Sequence, residues 1–150
     1  MQETVDAPVD RLWWAFTTAE GQESWQVAHA KVDLRIDGLM RAHYDREGRI
    51  GDENTIHNQI LSFDPPRMLS FRIVRPPVHF PFKTTAGDVW TVVYFDPIDA
   101  EHTRVTVTML GWPDTEESRQ MRGFFEKGNR WVLDKLKLHF AKPADSAGAL

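Results

Sequence analysis

The stretch DTEESRQMRGFFEKGNRWVLDKLKLHFAKP (114–143) decides the fold of this 150-residue chain. Asp114 and Glu117 have the spacing of a helix-capping box, and lysines crowd the other end of the stretch before Pro143. The apolar residues between these ends recur at helical spacing and are Met121, Phe124, Phe125, Val132, Leu136 and Phe140. The pattern predicts a helix of about 40 Å, roughly twice the length of a typical strand. Such a helix must lie across an entire sheet.

Alternating apolar and polar residues upstream of this helix predict three β-hairpins. The paired segments are 32–36 with 40–44, 56–63 with 68–74, and 89–95 with 104–110. Between the second and third hairpins, RPPVHFPFKTTAGD (75–88) contains too much proline for a central strand, so we expect an irregular crossing loop.

The N-terminal stretch VDRLWWAFTTAEGQESWQ (9–26) is rich in large rings and predicts two short helices. Thr17 begins a possible capping box for the second helix, which would end near Trp25. Because Trp13 and Trp14 are adjacent, a helix cannot bury both on one side. We therefore expect one ring to face the sheet and the other to face an edge, a loop or a dimer partner.

These elements describe one α+β domain in which a curved antiparallel sheet wraps the final helix, the helix-grip fold. The chain length suits a single hydrophobic core, so we expect one domain over residues 1–142 and a flexible tail over 143–150.

Composition argues against several classes of partner. The net charge is -4 and no basic run could follow a phosphate backbone, so we expect no nucleic-acid partner. Cysteine is absent, which excludes disulfides, thiolate metal ligands and thiol nucleophiles. No apolar run approaches the roughly 20 residues of a membrane span. We expect a cytoplasmic protein; the alternative is an exported one whose signal segment lies upstream of this sequence.

Five segments, taken in order, resemble the Hsp90 ATPase activator homologue family of the START-like (SRPBCC, birch-pollen-allergen-like) superfamily. They are APVDRLWWAFTTAEGQESW, VDLRIDGLMR, FDPPRMLSFR, TRVTVTMLGW and GNRWVLDKL. The resemblance covers nearly the whole chain, with a single Gly38 and a short first strand, QETVD, as departures. It implies a cavity between the sheet and the long helix. Because this superfamily includes ligand binders, transporters, cyclases and co-chaperone modules, the resemblance implies the fold more specifically than the function.

The candidate ligand-binding residues of this cavity are Trp25, Phe71, Phe80, Phe82, Phe124, Gly128 and Trp131. Gly128 lies on the apolar stripe of the helix, although glycine inside a helix costs about 1 kcal/mol relative to alanine. Either a ligand presses against this notch, or a bulky sheet residue such as Phe71 fills it. The aromatic candidates have the same two interpretations, because rings in a compact domain are more often core than ligand contacts.

No catalytic set, metal site or cofactor is predicted. The six histidines lack the HxH, HxxxH and HExxH spacings of metal ligands, and no GxSxG elbow or glycine-rich phosphate loop occurs. His57 and His79 could reach a pocket as acid or base, although we expect them to face solvent or to be hydrogen-bonded. Arg35, Arg41 and Arg67 are expected to pair with nearby acids rather than to bind a substrate.

The first functional hypothesis is the binding of a small apolar or aromatic molecule between the sheet and the C-terminal helix. One alternative is a cyclase- or dehydratase-type enzyme, in which the same cavity aligns a ligand and a lone His, Tyr or Asp moves a proton. Another is a protein-interaction module that regulates a chaperone. A homodimer and a chaperone partner are left open.

Overall fold

Seven antiparallel strands form one curved sheet around a long C-terminal helix. Two short helices lie between the first and second strands in the chain. The structure is a computed structural model that describes residues 1–141. Its elements are β1 (Gln2–Val5), α1 (Val9–Thr17), α2 (Ala19–Trp25), β2 (His29–Val32), β3 (Leu39–His43), β4 (Ile56–Asp64), β5 (Met68–Arg75), β6 (Trp90–Pro97), β7 (Thr103–Leu110) and α3 (Glu116–Phe140). The strands lie in the order β1-β7-β6-β5-β4-β3-β2. The α+β helix-grip prediction is confirmed, whereas the predicted tail, 143–150, lies outside the described residues.

The three predicted hairpins are present as β2–β3, β4–β5 and β6–β7, and residues 76–89 between β5 and β6 form no strand. The first strand of the first hairpin lies earlier than predicted, because β2 is His29–Val32 and shares only Val32 with the predicted segment 32–36. Beyond it the backbone turns, with Arg35 N–H donating to the Asp33 carbonyl and Gly38 N–H donating to the Arg35 carbonyl. Leu34 therefore lies outside the strand that its alternation predicted.

Helix α3 contains 25 residues, but Asp114 does not cap it. Thr115 has the extended backbone of an N-cap residue, and its side chain accepts a hydrogen bond of 3.1 Å from Ser118 N–H. Asp114 instead accepts a hydrogen bond of 3.0 Å from Arg119. Two adjacent residues could cap this helix, and the choice depends on where the extended loop ends.

The same one-residue shift occurs at α2. Thr18, not Thr17, caps this helix by accepting a hydrogen bond of 2.9 Å from Gly21 N–H. Thr17 still belongs to α1, where its hydroxyl donates to the Trp13 carbonyl at 2.6 Å. The hydroxyl of Thr17 is therefore already used within the first helix.

Trp13 and Trp14 are adjacent in α1, and both are half-buried against the core, in different surroundings. Trp13 packs edge-on against Phe95 of β6 with ring centroids 5.9 Å apart, whereas Trp14 lies 5.5 Å from the guanidinium of Arg11. Trp25 is only 5% exposed, and its indole N–H donates to the Ala15 carbonyl at 3.0 Å. The Trp13 contact fastens α1 to the sheet, and the Trp25 hydrogen bond fastens α2 to α1.

The solid part of the core lies beneath the C-terminal half of α3. Leu133 and Leu136 are fully buried there with Leu12 of α1, Ile60 of β4 and Phe95 of β6. Among the described helices, none has both the length and the hydropathy that crossing a bilayer requires.

Candidate functional site

A partly open cavity of about 460 Å³ lies between the sheet and the N-terminal and middle turns of α3. This volume falls in the usual range of small-molecule sites. The strands contribute Met40, Ala42, Ile56, Asn58, Leu69, Phe71, Arg72, Ile73, Thr91, Val93, Val107 and Met109, and Tyr44 follows β3 directly. The helix contributes Met121, Phe124, Phe125, Gly128, Asn129, Trp131 and Val132. Further lining residues are Phe16, Gln22, Gln26 and Val27 from the N-terminal helices and the turn after them, and Pro77, Phe80, Ala86 and Val89 from the loop after β5.

The lining is mostly apolar, and its polar groups are nearly all uncharged. They are Gln22, Gln26, Tyr44, Asn58, Thr91 and Asn129. Arg72 is the one cationic residue on the described lining, but it alternates with Phe71 and Ile73 along β5, and its guanidinium donates to Gln59 at 3.2 and 3.3 Å on the other face of the sheet. No carboxylate belongs to the lining formed by residues 1–141. Because an unpaired charge is costly to bury, such a cavity suits a neutral molecule.

Gly128 opens the helix surface toward this cavity. A Cβ atom at this position would meet no heavy atom within 4 Å, so Phe71 does not fill the notch. Phe71 and Gly128 instead line the same cavity, one from the sheet and one from the helix. The empty space in front of Gly128 could therefore receive part of a ligand.

The structure brings five of the seven candidate residues to the cavity: Phe71, Phe80, Phe124, Gly128 and Trp131. Trp25 lies in the core, with its ring centroid 5.2 Å from that of Phe16. Phe16, and not Trp25, lines the cavity. Phe82 is absent from the lining and packs against Phe80 and Phe124 at 5.5 and 5.7 Å. A role in ligand binding stays a prediction for all seven.

Sequence reasoning missed most of the polar residues of the lining. Asn58 lies between Ile56 and Ile60 on one face of β4, and Tyr44 continues the face of Met40 and Ala42. Strand alternation was the available signal, because residues two apart share a face. Within residues 1–141 the side chain of Asn58 has no hydrogen-bond partner, so its amide is available to a ligand.

The exposed rings of the lining indicate where the cavity opens. Tyr44, Phe124 and Trp131 are 50%, 51% and 55% exposed although all three line the cavity. Surrounding protein atoms raise the pKa of the Tyr44 hydroxyl, and a hydrogen bond with Gln26 opposes this shift. Tyr44 is therefore protonated at neutral pH and can donate a hydrogen bond at the entrance.

The loop 76–88, called the roof loop below, is fastened to α3 by hydrogen bonds to one carboxylate and by packed rings. Glu117 accepts hydrogen bonds from Thr85 N–H at 2.8 Å, from the Thr85 hydroxyl at 2.7 Å and from the Thr84 hydroxyl at 3.2 Å. The bonds from Thr85, above all that of its side chain, lower the pKa of Glu117 against the opposing effect of burial. Phe80 also packs against Phe124 at 5.9 Å. These contacts hold one wall of the cavity in place.

Neither of the histidines considered as an acid or base lines the cavity. His79 is exposed on the roof loop, and His57 lies on the opposite face of β4 from Asn58. Residues 1–141 contain no cluster of three or more His, Asp or Glu side chains that could hold a metal ion.

A curved antiparallel sheet that grips a C-terminal helix around a cavity defines a START-like domain. The particular family follows from a family model, "Activator of Hsp90 ATPase homolog 1-like protein", which matches residues 6–141. The chain belongs to this family, and the resemblance expected from the sequence is confirmed.

Solved structures share this fold at low sequence identity. Protein MLL2253 from Mesorhizobium loti has 16% identity and a TM-score of 0.66, with 93% of each chain covered. The Aha1 dimer from Colwellia psychrerythraea has 11% identity and a TM-score of 0.64, covering 94% of this chain and 96% of that one. An Hsp90 activator from Plasmodium falciparum has 17% identity and a TM-score of 0.59, with 87% and 84% covered. These likenesses show the fold alone. A search of curated proteins gave no match.

Proposed function

We propose that this protein binds a small, neutral, mainly apolar or aromatic molecule in the cavity between the sheet and α3. The observation that carries the proposal is the open space in front of Gly128 in a cavity of about 460 Å³. Burial of apolar ligand surface contributes about 25 cal/mol per Å², which is sufficient for micromolar affinity without a charged anchor.

The uncharged polar groups of the lining support a ligand with one hydrogen-bonding group. Asn58 offers both a donor and an acceptor from the sheet, and Tyr44 offers a hydroxyl at the entrance. Asn129 lies on the helix side, where its amide is 3.3 Å from the sulfur of Met109. Such a ligand would place its carbonyl or hydroxyl against Asn58 and its apolar part against Phe71 and Gly128.

The proposal is tested with N-phenyl-1-naphthylamine, a neutral apolar probe whose fluorescence rises in apolar surroundings. We expect the parent protein to bind the probe and Gly128→Leu to lose binding at least about tenfold, because the leucine side chain occupies the notch. The matched control is Gly123→Leu on the same helix. Gly123 also has open space beyond its Cβ position but does not line the cavity.

Both substitutions replace a helical glycine, so each should stabilise α3 by up to about 1 kcal/mol. Circular dichroism confirms that the two variants are folded. Equal probe affinity in parent, Gly128→Leu and Gly123→Leu proteins would contradict the cavity as the binding site.

Chaperone regulation is a second candidate, and it is supported by the family description, which names an activator of the Hsp90 ATPase. This candidate predicts that the purified protein changes the ATP hydrolysis rate of Hsp90 from its own host. Gly128→Leu and the parent protein should then act equally, because regulation would use the outer surface rather than the cavity. An unchanged ATPase rate at saturating protein would argue against this candidate.

A further inference from the structure

A row of basic side chains crosses the sheet on four neighbouring strands. Lys31 of β2 is directly opposite Arg41 of β3, and Arg41 is directly opposite His57 of β4. His57 is in turn opposite Arg75 at the end of β5. These four residues, called the basic row below, span three inter-strand spacings, or about 14 Å.

The basic row faces away from the cavity. Ala42 and Asn58 line the cavity and directly follow Arg41 and His57 in sequence. Because successive side chains of a strand point to opposite faces, Arg41 and His57 project from the outer face. Arg75 shares that face, because residues paired across two strands lie on the same side.

The charges of this row are not compensated within the described part of the chain. Lys31, Arg41 and Arg75 make no ion pair and no side-chain hydrogen bond within residues 1–141, contrary to the pairing expected for Arg41. The pairing expected for Arg67 is likewise absent within these residues. By contrast, Arg35 lies 2.6 Å from Asp33, as expected. Like charges directly opposite each other destabilise a sheet, so this row weakens the fold.

His57 adds a second unsatisfied feature at the centre of the row. Its Nε2 atom is buried and has no hydrogen-bond partner within residues 1–141. Arg41 and Arg75 are paired with His57 on the two neighbouring strands. Burial, together with the charges of Arg75 and Arg41, lowers the pKa of His57. Local arrangements that weaken a fold without compensation are found mainly at functional sites.

We propose that the basic row binds an acidic segment of a protein partner, which lies across the four strands with its carboxylates over Lys31, Arg41 and Arg75. Three cations spread over about 14 Å require several anions in a line, as an extended acidic peptide supplies. The whole chain carries a net charge of -4, which disfavours a long polyanion or an anionic bilayer beyond the row itself.

The test measures binding of a fluorescein-labelled decaglutamate peptide by fluorescence polarisation at low salt. We expect the double variant Arg41→Gln/Arg75→Gln to bind about tenfold more weakly than the parent, since two charge contacts are lost. The matched control is Arg67→Gln/Lys127→Gln, which removes the same charge from exposed side chains outside the row. The control should stay within about twofold of the parent.

A stability measurement separates this role from a purely structural one. Because Arg41→Gln removes like-charge repulsion, we expect its thermal midpoint to rise while its peptide affinity falls. A lowered midpoint for Arg41→Gln would show that the row supports the fold, and would overturn the proposal. Absence of peptide binding by the parent, equal losses in both double variants, or tighter binding to an oligonucleotide or to phosphatidylserine vesicles would also overturn it. Because probe binding in the cavity is measured separately, failure here leaves the proposed ligand binding intact.

Discussion

At the scale of single residues, His57 couples stability to pH. Burial, with Arg75 and Arg41 as further causes, lowers its pKa below the ordinary value of 6.5. The unfolded chain therefore takes up a proton at this position before the folded chain does. The free energy of unfolding therefore decreases as the pH drops below about 6.5, and this decrease is complete below the lowered pKa of His57.

We therefore predict that His57→Gln flattens the dependence of the thermal midpoint on pH between neutrality and about pH 5, a range above the ordinary carboxyl pKa values. Differential scanning calorimetry across this range provides the measurement. His79→Gln is the control, since His79 is exposed on the roof loop. The same slope in parent and His57→Gln proteins would show that His57 carries no such linkage.

Tyr44 offers a second test at the residue scale, because it distinguishes a hydrogen-bonding role from an apolar one. Tyr44→Phe keeps the ring at the entrance but removes its hydroxyl. We predict affinity for the apolar probe within about twofold of the parent, and a loss of about fivefold for naphthols that can use this hydroxyl. Isothermal titration calorimetry measures both, and equal losses for both ligand types would contradict a hydrogen-bonding role.

At the scale of elements, the roof loop and α3 behave as one wall because a single carboxylate joins them. Glu117 lies in the first turn of the helix, where a negative charge is also favoured by the helix dipole. Its hydrogen bonds with Thr84 and Thr85 satisfy polar groups of a loop that has no ladder of its own. The proline-rich segment 76–88 thus obtains its order from the helix.

We predict that Glu117→Gln loosens the roof loop without unfolding the domain. Amide exchange at Thr85 should become about tenfold faster, because the amide loses a charged acceptor. Glu126→Gln is the control, because Glu126 is exposed on the same helix and contacts only Arg122, at 3.8 Å. Exchange that is unchanged at Thr85 in Glu117→Gln would contradict this fastening.

The same loosening should occur in the parent protein at acid pH. The pKa of Glu117 is lowered from 4.5. The stabilisation that its carboxylate gives to the roof loop is therefore fully present above about pH 4.5 and is lost as the pH falls through the lowered pKa. The protection factor of the Thr85 amide, which is the intrinsic exchange rate divided by the measured rate, should therefore fall below pH 4.5 in the parent protein. In Glu117→Gln it should stay at its already lower value across the same pH range.

At the scale of the whole molecule, one end of α3 is packed solidly and the other stands over a cavity. Leu133 and Leu136 are fully buried, whereas Phe124 and Trp131 are half exposed at the cavity. We propose that residues 1–142 form a single folding unit whose stability comes mainly from the solid end. The cavity end can then remain unfilled without loss of the fold.

We predict that Leu133→Ala lowers the free energy of unfolding by about 2–5 kcal/mol, because it leaves a hole in a close-packed core. Leu138→Ala is the matched control on the same helix, since Leu138 is 78% exposed and should change stability by less than about 0.5 kcal/mol. Urea unfolding measures both values. Similar losses in the two variants would show that the C-terminal end of α3 is not the solid core.

Local pattern was sufficient for the elements and their order. Alternation in residues 56–63 and 68–74 predicted β4 and β5, and the apolar stripe in residues 114–143 predicted α3. These predictions were possible because burial of one face imposes a regular spacing of apolar residues along the sequence. The predicted helix starts were wrong by one residue. Thr115 and Thr18 cap their helices in place of the predicted Asp114 and Thr17, because adjacent side chains offer the same chemistry.

The sequence by itself determined the helix-grip fold, the family and most of the rings that surround the cavity, because each of these depends on periodicity or on the order of segments along the chain. Only the tertiary structure decided that Trp25 is core while Asn58 faces the cavity, and that the notch at Gly128 stays open. It alone aligned the basic row, whose four residues come from four strands. The physical reason is that unfilled space and strand register depend on packing between distant segments, which no local pattern records.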